Sequence, residues 1–121
     1  MKSRAVLVIS ILLALVFLFA GGSKVVAPGT AAKAFQGYGY AIWFMYVVAI
    51  WELIGGVMLL ISVVRFYGAI LLAVDMAGAF FTLLRASEYT NALLPLILFI
   101  LLVWVAYRCR PSAARATPVA V

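Results

Sequence analysis

Two acidic residues lie near the centres of long apolar stretches of this sequence. Glu52 follows Trp51 in one stretch, and Asp75 precedes Met76 in the next. An ionisable group in an apolar environment is costly, so each is a candidate for holding a ligand or exchanging a proton. The competing, structural interpretation is that the two carboxyl groups share a proton and lock two helices together. Both interpretations stay open at this stage.

Two basic residues stand at the ends of neighbouring stretches. Lys24 follows Ser23 after the first apolar stretch, and Arg85 ends the third. With a rise of about 1.5 Å per helical residue, both lie about 10 to 15 Å from the depth of the carboxylates, too far for a direct ion pair unless the helices tilt or shift. We expect a pocket with a basic rim, an acidic floor and aromatic walls formed by Phe44, Tyr46, Trp51, Phe80 and Phe81. The alternative is that Lys24 and Arg85 only extend to the lipid headgroups.

The sequence lacks the residues that most other chemistries need. It has no His and a single Cys, Cys109, so it has neither the commonest metal ligand nor a thiol pair. We assign no catalytic residue and no metal ligand, and we do not expect self-contained enzyme activity. The net charge is +6, but the basic residues are scattered singly and not grouped into a phosphate-binding patch. Nucleic acid is therefore not an expected partner.

The elements that must position these residues follow from the composition. Of the 121 residues, 69% are hydrophobic and only 10% are charged, too few to cover a surface in water. The apolar stretches show no alternation of polarity, so they predict membrane-spanning helices and not barrel strands. Four stretches, at about residues 5–22, 41–64, 66–84 and 92–107, approach the length of about 20 residues that a bilayer requires. We predict an all-α integral membrane four-helix bundle over residues 1–110 and a disordered cytoplasmic tail over residues 111–121.

The links between the stretches indicate which helices are neighbours. Only Arg65 separates the second stretch from the third, which predicts an antiparallel hairpin with Glu52 and Asp75 at nearly the same depth. Gly55 and Gly56 lie on the same side of the helix as Glu52, and small residues let membrane helices approach closely. Residues 23–40 contain several Gly and Pro residues and predict a loop, with room for a short helix at about residues 31–35.

Basic residues also predict orientation, because they concentrate on the cytoplasmic side. With the N-terminus inside, six of the nine fall on that side, so both termini are expected in the cytoplasm. A secretory signal cleaved near Gly22 is the competing interpretation of the first stretch. Its apolar part runs from Ala5 to Ala20, longer than the about 7 to 15 residues usual for a signal, so we favour a retained helix.

Three segments together resemble the DoxX-like family of small four-helix bacterial membrane proteins. They are Phe19–Val25, Glu52–Leu60 and Asp75–Ala79, and their order and spacing carry the resemblance. The resemblance implies a multi-pass protein of the bacterial cytoplasmic (inner) membrane. Relatives are linked with quinone-coupled sulfur oxidation, terminal oxidase accessories and redox-stress complexes. Many relatives have a His near the end of the third helix, whereas residues 82–85 here contain none, which argues against transferring a metal or proton-relay role.

The leading functional expectation is an accessory or ligand-binding subunit with a quinone-like or other lipophilic molecule between its helices. Its expected partners are the lipid bilayer, redox membrane proteins or a second copy. One alternative is a small proton-coupled transporter that uses Glu52 or Asp75, although the small multidrug resistance exporters place their essential carboxylate in the first helix. Another is a scaffold or chaperone that contacts membrane proteins through a small-residue face of Ala69, Ala73 and Ala77.

Overall fold

The computed structural model describes residues 2–111, with side chains from Arg4 onward. Five helices make up the fold of this part: α1 (Lys2–Val26), α2 (Gly29–Gly37), α3 (Ile42–Leu60), α4 (Arg65–Arg85) and α5 (Leu93–Cys109). The predicted all-α bundle is confirmed, with five helices in place of the expected four. The predicted tail lies almost wholly outside the described residues.

Three of the helices are long and apolar enough to cross a bilayer. They are α3, α4 and the segment Arg4–Val26 of α1, and α5 is equally apolar but only 17 residues long. Around the bundle, α1 packs chiefly on α3, α3 also packs on α4, and α4 packs on α5. The chain therefore has the build of a helical membrane protein.

The first helix extends beyond its predicted end at Gly22. At Gly21, α1 lies directly against α3: an added Cβ atom there would be 2.8 Å from the Ala49 carbonyl oxygen. The hydroxyl of Ser23 and the ammonium of Lys24 both donate to the Ala20 carbonyl, at 3.1 and 3.4 Å. Lys24 is consequently a helical residue facing the bundle, not part of a loop.

The additional helix, α2, occupies the link before α3, where a loop with a short helix at about residues 31–35 was predicted. It has no buried residue and packs mainly on α3. Gly39 then adopts a φ of +92°, a conformation that favours glycine, and returns the chain to the start of α3. The Phe35 ring lies 6.0 Å from that of Tyr40 and 6.2 Å from that of Phe44, so α2 covers this end of the bundle with aromatic side chains.

The predicted hairpin joins α3 to α4 through a short turn. The Nε atom of Arg65 donates to the Leu59 carbonyl at 2.7 Å and so satisfies one of the free carbonyls at the end of α3. Beyond the turn the two helices are in close contact. An added Cβ atom at Gly68 would lie 2.7 Å from Met58 Cβ, and one at Gly55 would lie 2.6 Å from the Leu72 side chain.

Buried apolar side chains fill the part of the bundle near this hairpin, which we call the packed half. Its core includes Leu13, Phe17, Leu59, Leu72, Leu102 and Val105. Ala69 and Ala73 are also buried there, at 0% and 5% exposure. The expected small-residue docking face is therefore wrong for those two residues, because they pack inside the bundle. We call the opposite part, which holds α2, the start of α3 and the end of α4, the open half.

Candidate functional site

An ion pair joins α1 to α3 at the border between the two halves. The Nζ atom of Lys24 donates to Oε1 of Glu52 at 2.7 Å, and the two side chains are only 15% and 5% exposed. The expected gap of about 10 to 15 Å is therefore wrong for Lys24. Lys24 belongs to the acidic cluster and not to a separate rim.

Helix geometry explains how Lys24 reaches that far. Side chains on an α-helix tilt toward its N-terminus. Because α1 and α3 are antiparallel neighbours, the Lys24 side chain leans into the bundle while the Glu52 side chain leans out to meet it. Gly21 then brings the two backbones close enough for the contact to form.

Asp75 completes this cluster from α4. Its carboxyl group interacts with that of Glu52 and lies within the electrostatic influence of Lys24. Its Oδ2 atom is buried and has no hydrogen-bond partner among the described residues. The two carboxylates do face each other, a question that helix spacing had left open. One cation and two acids share the site, so a single ionised carboxylate balances the charge of Lys24.

A cavity of about 460 Å³ extends from this cluster into the open half. Of the five predicted wall residues, Phe44 and Trp51 line it, and Tyr46, Phe80 and Phe81 do not. The lining is otherwise formed by apolar or hydroxyl-bearing side chains of α2, α3, α4 and the link before α3: Phe35, Tyr38, Tyr40, Val47, Val48, Val74, Met76, Gly78, Ala79, Thr82 and Leu83. The predicted pocket with an acidic floor thus exists, but the floor also holds the cation.

Trp51 bridges α3 and α4 beside the acidic cluster. Its indole Nε1 donates to the Leu71 carbonyl at 2.7 Å. This carbonyl belongs to the turn immediately before Asp75, so the bond sets the spacing of the two helices at the level of the floor.

Arg85 lies away from the carboxylates, at the rim of the cavity. Its Nη2 atom donates to the Tyr40 hydroxyl at 3.2 Å, and that hydroxyl is 2.7 Å from Oγ1 of Thr82. The hydrogen bond with Thr82, followed by the bond and charge of Arg85, lowers the pKa of Tyr40, although burial acts in the opposite direction. The structure therefore brings together Lys24, Glu52 and Asp75, and it separates Arg85 from them.

A second rim contact joins the link before α3 to the link before α5. The Tyr38 hydroxyl donates to Oε1 of Glu88 at 3.1 Å, and Asn91 donates to the same oxygen at 3.0 Å. Burial, with the Glu88 hydrogen bond and charge, raises the pKa of Tyr38. The sequence analysis assigned Tyr38 and Tyr40 no place in the pocket. The available signal was Gly37-Tyr38-Gly39-Tyr40, in which glycines free the chain beside two tyrosines to fold back.

The site combines one ion pair and a second carboxyl group with apolar and aromatic walls. Within residues 2–111, no three His, Cys, Asp or Glu residues are grouped as a metal site would require. Cys109 packs against the core cluster of the packed half and does not line the cavity. A buried ion pair and a second carboxyl group at the end of an apolar, aromatic-walled cavity suit a lipophilic molecule with a polar head.

Fold and site together define a helical membrane protein with a polar cluster inside its bundle. The family model described as the DoxX-like family matches residues 8–105, most of the chain, and the chain therefore belongs to that family. The resemblance noted from the sequence is confirmed. No curated protein and no solved structure matches the chain significantly.

Proposed function

We propose that this DoxX-like protein is an accessory membrane subunit that binds a quinone-like or other lipophilic molecule and serves membrane redox processes. In this proposal it is a multi-pass protein of the bacterial cytoplasmic membrane with both termini in the cytoplasm. The observation that carries the proposal is the cavity of about 460 Å³ with Lys24, Glu52 and Asp75 at its inner end.

The dimensions and walls of the cavity support a small lipophilic ligand. Binding sites for such molecules measure about 300 to 1,000 Å³ and combine apolar walls with a few polar groups. Aromatic rings such as Phe44 and Trp51 offer flat surfaces on which a ring can stack. The charged cluster lies at one end only, so a bound molecule would place its polar group there and its apolar body along the walls.

The position of the walls supports entry from the bilayer. Val47 of α3 and Val74 of α4 both line the cavity and are 43% and 56% exposed. In this proposal the space between these helices is reached from the lipid-facing side of the bundle. A ligand dissolved in the membrane could enter without crossing water.

The composition of the chain supports an accessory role. It has no His and one Cys, so it supplies neither a haem-ligating imidazole nor a dithiol. Electrons would have to come from the bound molecule or from a partner protein.

Mass spectrometry of co-purifying small molecules tests the proposal. The full chain is purified from native membranes as wild type and as the Glu52→Gln/Asp75→Asn double variant, and folding is checked by circular dichroism. Glu88→Gln is the matched control, because it neutralises the remaining acid of the chain, outside the cavity lining. We expect a lipophilic molecule with wild type and control but not with the folded double variant. An empty wild type, or equal contents in all three proteins, would contradict the proposal.

A proton-coupled transporter is the second candidate, favoured by the contact of Asp75 with Glu52. Since Lys24 balances one carboxylate, the other carboxyl group is available to exchange a proton. This function predicts substrate flux into liposomes that depends on a proton gradient and is lost in Glu52→Gln. A ligand that stays bound whatever the gradient favours the accessory role.

A further inference from the structure

The positive charge inside the cavity is already paired with a side chain of the protein itself. The charged residues that line the cavity are Lys24, Glu52 and Asp75. The Nζ atom of Lys24 lies 2.7 Å from Oε1 of Glu52, and both side chains are largely buried. The charge of Lys24 is therefore neutralised before any ligand enters.

A lipophilic anion would meet an unfavourable charge in this cavity. It would lose its hydration and come close to the carboxylate of Glu52, and both effects oppose binding. Asp75 interacts with Glu52 from α4, so two acids stand beside the one cation of the lining. Arg85, the cation at the rim, donates to the Tyr40 hydroxyl and does not line the cavity.

An uncharged polar head meets no such obstacle. Lys24 uses two of its three hydrogens on Glu52 and the Ala20 carbonyl, which leaves one for a neutral acceptor. A site also gains specificity from a group that repels the wrong ligand. Membrane lipids with charged heads surround the bundle, and a carboxylate inside the cavity would keep such heads out.

We infer that Glu52 is a built-in counter-ion for Lys24 that makes the cavity selective for uncharged lipophilic molecules over lipophilic anions. This inference rests on the proposed function, since it names the charge class of the ligand that the same site takes.

Two probes of nearly the same shape and opposite charge class test the inference. The full chain in nanodiscs is equilibrated by dialysis with para-nonylbenzenesulfonamide, which is neutral, or with para-nonylbenzenesulfonate, which stays ionised. Bound probe is measured by mass spectrometry, and empty nanodiscs correct for partition into lipid. We expect wild type to bind the sulfonamide about a hundredfold more tightly than the sulfonate, because an anion in the cavity has no unpaired cation.

Three variants assign the selectivity to the charges of the cavity. In Glu52→Gln/Asp75→Asn, Lys24 is left without an acid in the lining, so the sulfonate should bind at least as tightly as the sulfonamide. Replacing Lys24 with Met in that double variant should abolish this gain of sulfonate binding, because the freed cation is removed. Glu88→Gln is the matched control, since it removes an acid outside the cavity lining and should leave the wild-type ratio unchanged.

The outcomes separate the inference from the proposed function. Equal binding of both probes by wild type would leave the ligand site standing and overturn the selectivity. A folded double variant that still rejects the sulfonate would also overturn it, because Lys24 would then not be reached from the cavity. Binding of neither probe by wild type would overturn both. If the double variant does not fold, Glu52→Gln alone should lower the ratio, and an unchanged ratio would contradict the role of Glu52.

Discussion

The packed half and the open half of the bundle are built from the same helices, but they differ in how closely α3 and α4 approach each other. In the packed half, Gly55 and Gly68 have neighbouring atoms where a Cβ would stand, at 2.6 and 2.7 Å. In the open half, Gly78 has no such atom within 4 Å and lines the cavity. Glycine thus closes the hairpin at one end and leaves space at the other. The context of a small residue, not its type, therefore decides whether it packs helices or lines a site.

The halves also differ in where their polar groups are satisfied. The packed half is held by apolar contacts around Phe17 and Leu72, with the unpartnered hydroxyl of Ser10 as its buried polar group. The open half carries hydrogen bonds from Tyr40 and Tyr38 to neighbouring segments. The ion pair of Lys24 and Glu52 stands at the border, where a charge inside a bundle must be paired.

The largest expected effect comes from breaking the ion pair of Lys24 and Glu52 at that border. Replacing Lys24 with Met leaves Glu52 buried without its cation, and a broken buried pair costs about 3 kcal/mol or more. We expect the free energy of unfolding, measured by SDS titration in mixed micelles, to fall by about 3 kcal/mol. This value is at the low end of the range because Lys24 is partly exposed.

Two further variants serve as controls for this prediction, one at a second lysine and one that also replaces Glu52. Lys33→Met removes an exposed cation of α2 and should change stability by less than about 0.5 kcal/mol. The Lys24→Met/Glu52→Gln double variant removes both charges of the pair and should recover most of the loss. Equal losses in the single and double variants would show that the pair is not the cause.

Two glycines of the same helix sharpen the contrast between the halves. Gly68→Ala places a Cβ against Met58 and 3.1 Å from the Gly55 carbonyl oxygen, so α3 and α4 must separate. We expect a loss of about 2 kcal/mol, typical of overpacking. Gly78→Ala meets no atom and should be neutral, or more stable by up to about 1 kcal/mol through helix propensity. The same SDS titration measures both, and losses of similar size would contradict the assignment of the two halves.

A smaller effect is expected at the rim of the open half. Tyr40→Phe removes the hydroxyl that bonds Thr82 and accepts from Arg85, and it leaves the buried Thr82 hydroxyl without that partner. We expect a loss of about 1 kcal/mol in the free energy of unfolding. Tyr46→Phe, at an exposed tyrosine that does not line the cavity, is the control and should be neutral. Identical values for the two variants would mean that the rim bond adds nothing to stability.

The sequence predicts depth better than it predicts contact. The positions of Glu52 and Asp75 within their helices placed them at one level, and the hairpin made them neighbours. The contact of Lys24 with Glu52 was not predicted, for two reasons. The first helix was predicted to end at Gly22, and the distance to the carboxylates was estimated from backbone positions without the length of the lysine side chain. Residue spacing gives the position of each residue along its helix. The tilt of side chains toward the N-terminus then brings the Lys24 and Glu52 side chains together.

The segment that covers the open half, made of α2 and the link before α3, was harder to predict. Composition indicated a loop before α3, but the direction of a loop depends on single backbone conformations such as the positive φ of Gly39. The aromatic walls at Phe44 and Trp51 could be predicted because they lie on the helix that carries Glu52. Phe35, Tyr38 and Tyr40 could not, because their place depends on α2 folding back over α3.

The smallest expected effect concerns Tyr38 and Tyr40, which lie in the link before α3. The pKa of Tyr40 is lowered by its bonds to Thr82 and Arg85, and that of Tyr38 is raised by burial and Glu88. The ionisation of Tyr40 thus stabilises the fold above the ordinary tyrosine pKa of about 10, and this contribution is lost as the pH falls through its lowered pKa. The protonated form of Tyr38 stabilises the fold below about pH 10, and this contribution is lost as the pH rises through its raised pKa.

Ultraviolet difference titration of the folded protein should therefore resolve Tyr40 ionising before Tyr38, with Tyr40→Phe and Tyr38→Phe assigning the two steps. Thr82→Val should raise the pKa of Tyr40 and leave that of Tyr38 unchanged, while Glu88→Gln should lower the pKa of Tyr38 alone. These matched shifts would place each tyrosine on its own contact of the rim. If both tyrosines titrate together near the ordinary tyrosine pKa, these two rim contacts do not hold α2 and the link that follows it over the open half.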